Sequence, residues 1–216
     1  MTKTFAVSGQ HYLFDVQAFA HTILALGGDT YEYALRDRTT ADVIADVAAG
    51  ESDLGVLMQT SSTAAELNEA LAAEGLVFTV LAESDPMIAL PASHPLSSAS
   101  ELTMDQLEDW PYLYFEQEEG VPAAFAEEAL SEIDRRKTVA LTDRASLSEL
   151  AVALNGYTVT SGILVGITDG GSLCTVPLKS DVTLKLGYIA KEGEELSEIG
   201  KRFVANLTKS LELYAK

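Results

Sequence analysis

Short apolar runs of strand length alternate, through most of 216 residues, with stretches whose apolar positions recur every three or four residues. That alternation is the strongest constraint on the fold, because strand–helix repetition builds sheets with helices laid on their faces. Thr4–Val7 reads as a strand. Tyr12, Val16, Phe19, Ile23 and Leu26 then mark one face of a helix starting at about Gln10, closed by Gly27-Gly28. Tyr31–Leu35 is a second strand. Thr39 or Thr40 caps a helix carrying Val43, Ile44 and Val47, which Gly50 ends. Leu54–Met58 is apolar throughout, as in a strand covered on both faces. Thr63-x-x-Glu66 has the form of a capping box and opens a helix through Leu67 and Leu71 to Gly75.

Leu76–Leu81 and Met87–Leu90 follow as extended runs. Thr103-x-x-Gln106 caps a short helix, Tyr112–Phe115 is a strand, and Phe125, Leu130 and Ile133 line a helix opened at Pro122. Thr138–Leu141 is a strand, and Ser146-x-x-Glu149 caps a helix ending at Asn155-Gly156. Tyr157–Thr160 and Ile163–Ile167 are extended, and Asp169-Gly170-Gly171 reads as a turn joining the latter to a hairpin partner at Leu173–Val176. Val182–Ala190 is a long extended run. A last helix carries Leu196, Ile199, Phe203, Leu207, Leu211 and Tyr214 on one stripe. The pattern predicts an α/β chain with parallel sheets. Its two crossings, near 80–90 and 180–190, divide it into lobe I (1–82 with 187–216) and lobe II (83–186).

Charge narrows the partners. Fourteen Lys and Arg face 33 Asp and Glu, a formal net charge of −19. Nucleic-acid binding rests on clustered basic residues, and the densest basic run is Arg135-Arg136-Lys137. This chain alone is therefore not expected to grip DNA. The one cysteine, Cys174, allows neither an internal disulfide nor a cysteine-based metal site. No secretory signal and no bilayer-length apolar stretch is visible, so a cytoplasmic location and no membrane partner are expected.

Catalytic motifs are missing. There is no G-x-S-x-G, no phosphate loop and no G-x-G-x-x-G after a strand. His11 and His21 sit ten residues apart on one predicted helix, too far to share a metal from adjacent turns, and His94 precedes Pro95 in a bend. Glu116, Glu118 and Glu119 read as a solvated loop. The expectation is a protein that is not an enzyme, with no catalytic residues, metal or cofactor. What remains is a set of hydroxyl, amide and acidic side chains at the C-terminal ends of predicted strands, the edge where open α/β sheets bind ligands. These are Ser8, Gln10, Thr39, Thr40, Gln59, Thr60, Tyr114, Glu116, Thr142, Thr160 and Ser161. Together with helix N-terminal N–H groups they suit a carboxylate or other small anion.

The segments "FAVSGQHYLFDVQAFAHTIL", "TTADVIADVAAGESDLGVLM" and "ESDPMIALPASHPL" resemble the effector-binding domain of LysR-type transcriptional regulators. A helix ending in Gly50 before Ser52-Asp53, the His94-Pro95-Leu96 after a strand, and the tyrosine-rich "YLYFEQ" carry the resemblance, which runs from about Thr4 to Leu211. It implies a two-lobed fold similar to type 2 periplasmic binding proteins, with a small-molecule effector in the cleft. It further implies a homodimer or higher homo-oligomer, packed side by side through the first helix and the helix near Pro122–Ile133. By the same resemblance Ser8, Gln10, Gln59, Thr60, Tyr114 and Glu116 would face the cleft. The family's full-length members carry an N-terminal winged helix-turn-helix; no such motif is read in these residues, and DNA contact is expected only through a domain of that kind. The alternative is a freestanding solute-binding protein of a transporter with the same fold.

Overall fold

The computed structural model describes residues 3–164 and 172–214. Among them, a five-stranded sheet has the order β2-β1-β3-β10-β4, built from β1 (Lys3–Gly9), β2 (Tyr31–Asp37), β3 (Leu54–Thr60), β4 (Leu76–Ser84) and β10 (Leu184–Lys191). β1 runs parallel to β2 and β3, while β10 is antiparallel to both β3 and β4. The second group of strands holds a sheet of order β8-β5-β9, from β8 (Thr158–Thr160), β5 (Met87–Pro91) and β9 (Leu173–Pro177), and a parallel pair of β6 (Tyr112–Phe115) and β7 (Thr138–Leu141). A bridge between Tyr112 and Tyr157 joins the pair to the strand group. The architecture is mixed α/β, with the parallel alternation confined to part of each half.

The helices are α1 (Leu13–Leu26), α2 (Thr40–Ala49), α3 (Ala64–Ala73), α4 (Arg144–Leu154) and α5 (Glu198–Tyr214). α2 forms where expected: the Thr39 hydroxyl accepts from the Asp42 N–H, and Gly50 takes the left-handed conformation at φ 76°. β3 is buried along its whole length, as its unbroken apolar run requires. Gly55 lets it lie flat between layers, since a Cβ there would meet Val43 Cγ1 at 2.5 Å and Ile189 Cγ1 at 2.8 Å. Phe203, Leu207 and Leu211 of α5 are fully buried, and the Phe203 ring sits 5.8 Å from that of Phe5. None of the described helices is long and apolar enough to cross a membrane.

Several expectations are corrected. The buried face of α1 is Phe14, Asp15, Ala18, Phe19 and Thr22, not the stripe through Val16 and Ile23. Small Ala18 and Thr22 let α5 approach, and Asn206 donates to the Thr22 hydroxyl at 3.0 Å. The helix expected over Pro122–Ile133 is one turn of 3₁₀ helix at Ala123–Phe125, after which Ala126 is extended and Leu130 has φ 59°. The carbonyls of Leu130 and Ile133, which a helix would have used, accept from Arg135 instead. α4 is capped by Asp143, not by Ser146. Thr63 makes no side-chain cap on α3; its hydroxyl lies 2.8 Å from that of Thr60. The Thr103–Gln106 capping box does form. β9 pairs with β5, and the Asp169-Gly170-Gly171 turn lies outside the described residues.

Candidate functional site

A cavity of about 350 Å³ opens between the five-stranded sheet and the second strand group. From the first side it is lined by His11, Tyr12 and Leu13, where β1 passes into α1, and by Met58 of β3. From the second side come Phe115 at the end of β6, Glu127 and Glu128, Arg144 at the start of α4, Thr160 at the end of β8, and Ser161 just after it. Much of the remaining wall is apolar, including Leu147, Val159, Ile163 and Leu173. A concave, mostly apolar space with few polar groups is the form small-molecule sites take.

Polar contacts tie the two sides together at the cavity. The His11 ring stacks on Phe115 at 4.0 Å and an interplanar angle of 7°. Its Nδ1 lies 3.0 Å from both carboxylate oxygens of Glu127, and its backbone N–H donates to Glu127 Oε2 at 3.1 Å. Burial pulls the imidazolium down, but the hydrogen bond and charge of Glu127, with the charge of Asp37, outweigh it and leave the His11 pKa raised. Arg144 donates to the Tyr12 carbonyl and pairs with Asp37. Thr40 donates to the Phe125 carbonyl at 2.7 Å, and its N–H donates to Gln117 Oε1 at 3.2 Å.

Two buried carboxyls lie at the same junction. Glu128 Oε1 accepts from the Phe115 N–H at 2.8 Å; burial, with the neighbouring Glu127 charge, pushes its pKa well up. Asp15, in the first turn of α1, is fully buried, and neither of its oxygens closes a hydrogen bond. Burial lifts its pKa to about 7, against the opposing charge of Arg144.

The expected ligand positions fall in different places. Thr160 lines the cavity, as does its neighbour Ser161. Ser8 is buried in β1 and donates to Asp46 Oδ2 at 2.6 Å, with Ser52 Oγ 2.8 Å away. Gln10 is buried behind the wall: its Oε1 accepts from the Met58 N–H at 2.9 Å and the Tyr12 hydroxyl at 3.1 Å, and its Nε2 donates to Thr40. Thr39 caps α2, Gln59 donates to Asn68, and Thr60 bonds Ser62 and Thr63. Tyr114 lines a neighbouring cavity, and Glu116 and Thr142 are exposed. Glu127, Glu128 and Arg144 carried no signal in the sequence, since adjacent acids and a basic residue opening a helix read as solvated surface.

His94, expected to serve a bend, accepts from the Leu96 N–H at 3.0 Å and packs edge-on against Trp110. Among the described residues no group of three or more His, Cys, Asp or Glu side chains is placed to hold a metal ion.

Comparison with known proteins places this geometry. The fold resembles HinK, a LysR family transcriptional regulator from Pseudomonas aeruginosa, with 16% identity and a TM-score of 0.65 over 97% of this chain and 71% of HinK. It also resembles the effector binding domain of QuiR in complex with shikimate, with 10% identity and a TM-score of 0.65 over 100% of both chains. A third similar structure is the C-terminal domain of a probable LysR family regulator from Rhodococcus sp. RHA1, with 14% identity and a TM-score of 0.65 over 96% of this chain and 100% of that one. No match is found among curated proteins. The family described as the LysR substrate binding domain matches residues 31–212, and this chain belongs to it.

Proposed function

We propose that this effector-binding domain senses a small metabolite with an apolar body and one carboxylate or similarly anionic end, bound in the cavity between the two strand groups, and so controls transcription. The cavity carries the reading: both halves of the molecule supply its walls, so an occupant stabilises one relative placement of the two. Thr160, Ser161 and Arg144 supply donors for the anionic end, and Glu128, favoured in its neutral form by burial, donates rather than repels. The shikimate bound by the similar QuiR domain is likewise a small carboxylate, although its ring is hydroxylated rather than apolar.

On this reading 1–82 with 187–216 forms one lobe and 83–186 the other. Gln10 and Thr40 shape the wall, while Ser8, Thr39, Gln59 and Thr60 hold the strand ends behind it. The domain acts in the cytoplasm as a homodimer or higher homo-oligomer, and reaches DNA through a helix-turn-helix domain. The family match favours this reading over a freestanding solute-binding protein of the same fold.

Thermal unfolding against small carboxylates, aromatic acids, amino acids and sugars tests it. A ligand at a hundredfold over its Kd adds about 2.7 kcal/mol, several degrees for a domain of this size. A carboxylate that raises the Tm of the parent protein and is lost in Thr160→Val and Ser161→Ala is the expected result. Stabilisation by neutral or cationic compounds alone would overturn the ligand class.

A further inference from the structure

The chain after β6 leaves its own half of the molecule and returns. Phe115, the last residue of β6, donates its N–H to Glu128 Oε1 at 2.8 Å, which ties positions 115 and 128 together. Between them, residues 116–127 reach into the other half. Ala124 and Phe125, only 6% and 8% exposed, join a core cluster with Val43 and Ile44 of α2 and Leu67 and Leu71 of α3, and Val121 packs against it. Every other residue of that cluster belongs to the five-stranded sheet or to α2 and α3. A loop with joined ends and buried side chains is a compact unit rather than a loose connection. This one is packed against the opposite half, as a strap is.

Polar groups fasten both ends of the excursion. Near its start, Gln117 Oε1 accepts from the Thr40 N–H at 3.2 Å, in the first turn of α2, and the Phe125 carbonyl accepts from the Thr40 hydroxyl at 2.7 Å. At its end both carboxylate oxygens of Glu127 are engaged, by the His11 N–H and Nδ1 and by Gln117 Nε2 at 3.2 Å. Gln117 therefore joins the two fastenings. Adjacent acids serve opposite halves: Glu127 grips the start of α1, while Glu128 holds the strap's own base. Buried hydrogen bonds to a charged group are roughly twice as strong as neutral ones. The other ion pair across the cavity, Arg144 with Asp37, is open to solvent at Asp37 and correspondingly weak.

We propose that residues 116–127 form a strap that fastens the two halves of the molecule at one spacing, with Phe125 as its apolar anchor and Glu127 as its polar one, and that it lets go as a unit. Glu127 is also part of the cavity wall, so the strap and the cavity open together. The inference does not depend on what the cavity binds.

The test is amide hydrogen exchange of the full chain, read residue by residue by NMR, on the parent protein, on Phe125→Ala and on Glu127→Ala. The first variant removes the apolar anchor and keeps the Phe125 carbonyl; the second removes the polar anchor. The Asp42 N–H, which donates to Thr39 in the same turn of α2 as Thr40, reports on the helix itself. Either variant should speed exchange at both the His11 and the Thr40 N–H by about tenfold or more, with Asp42 unchanged. The crossed readings decide: His11 in Phe125→Ala, where its acceptor Glu127 is still present, and Thr40 in Glu127→Ala, where its acceptor Gln117 is still present. Acceleration confined to Thr40 in the first variant and to His11 in the second would overturn the proposal, leaving two independent contacts. So would an equal rise at Asp42, which would mean that α2 itself opens. Phe125→Leu gives the same crossed reading in a milder form if Phe125→Ala does not fold. Spin labels introduced by Glu69→Cys and Glu101→Cys, at exposed positions in opposite halves, in a Cys174→Ser background, read the spacing. One narrow distance in the parent and a broader distribution in both anchor variants is expected, and an unchanged distribution would overturn the fastening.

Discussion

His11 and Glu127 meet across the cavity through two donors on one carboxylate: the imidazole Nδ1 at 3.0 Å and the backbone N–H at 3.1 Å. Their side chains are 5% and 2% exposed, so the pair is screened little by solvent. Because the folded His11 pKa is raised, its contribution to stability is fully present below the ordinary value of 6.5 and fades as pH rises through the folded value. Glu127→Gln keeps an acceptor for the N–H but loses the charge. It should cost about 1–3 kcal/mol at pH 5.5 and clearly less at pH 8. Urea unfolding at the two pH values measures this, and an equal loss at both would show that the charge of the pair does not matter.

Asp15 contributes with the same sign through a different group. Its carboxyl stays protonated in the folded chain up to about 7, while the unfolded chain ionises near 3.8. Between those values the folded state holds a proton that the unfolded state has released, so stability falls as pH rises. Asp15→Asn removes the titration. It should raise stability by about 4 kcal/mol at pH 8, from roughly 1.4 kcal/mol for each pH unit between 3.8 and about 7, and change little near pH 3.5. A variant no more stable than the parent at pH 8 would place a compensating partner at Asp15.

How far the sequence reveals these features depends on how local their causes are. α2 was readable because Thr39, Val43, Val47 and Gly50 lie within one helix and act on it directly. β3 was readable because burial on both faces leaves an unbroken apolar run. α1 reads wrongly from its apolar spacing because its buried face sets Asp15, Ala18 and Thr22, polar or small residues, beside Phe14 and Phe19. The region after Pro122 has helical spacing, yet contacts from far along the chain reshape it: Glu127 is drawn to His11 and Glu128 to the Phe115 N–H. The candidate site follows the same rule. Strand ends pointed to Thr160, but Glu127 joins the site through a residue 116 positions earlier, a distance no spacing rule spans.

Gln10 offers a direct contrast between a ligand residue and a wall residue. Both ends of its amide are committed to protein partners, and Thr40, to which it donates, passes the contact on to the Phe125 carbonyl. Gln10→Ala strands the buried Met58 N–H and should cost about 2–3 kcal/mol in chemical unfolding. A loss below about 0.5 kcal/mol, the size of an ordinary surface change, would mean that the network does not brace the wall.

Gly187 tests the crossing strand itself. β10 slips register against β4 between Leu186 and Gly187, and a Cβ on Gly187 would lie 2.1 Å from the Thr79 carbonyl oxygen and 2.9 Å from Phe78 Cζ. The first obstacle is backbone, which cannot turn aside as a side chain can. Gly187→Ala should therefore cost at least about 3 kcal/mol or abolish soluble folded protein, beyond the usual overpacking range. Gly193, just past the same strand, has φ 73° and open space around its Cβ position. Gly193→Ala meets only the left-handed backbone penalty of about 1–2 kcal/mol. Unfolding midpoints of the two variants side by side separate a steric clash from a conformational cost. Equal losses would show that β10 and β4 can part to admit a methyl group, and that the register slip is a soft joint.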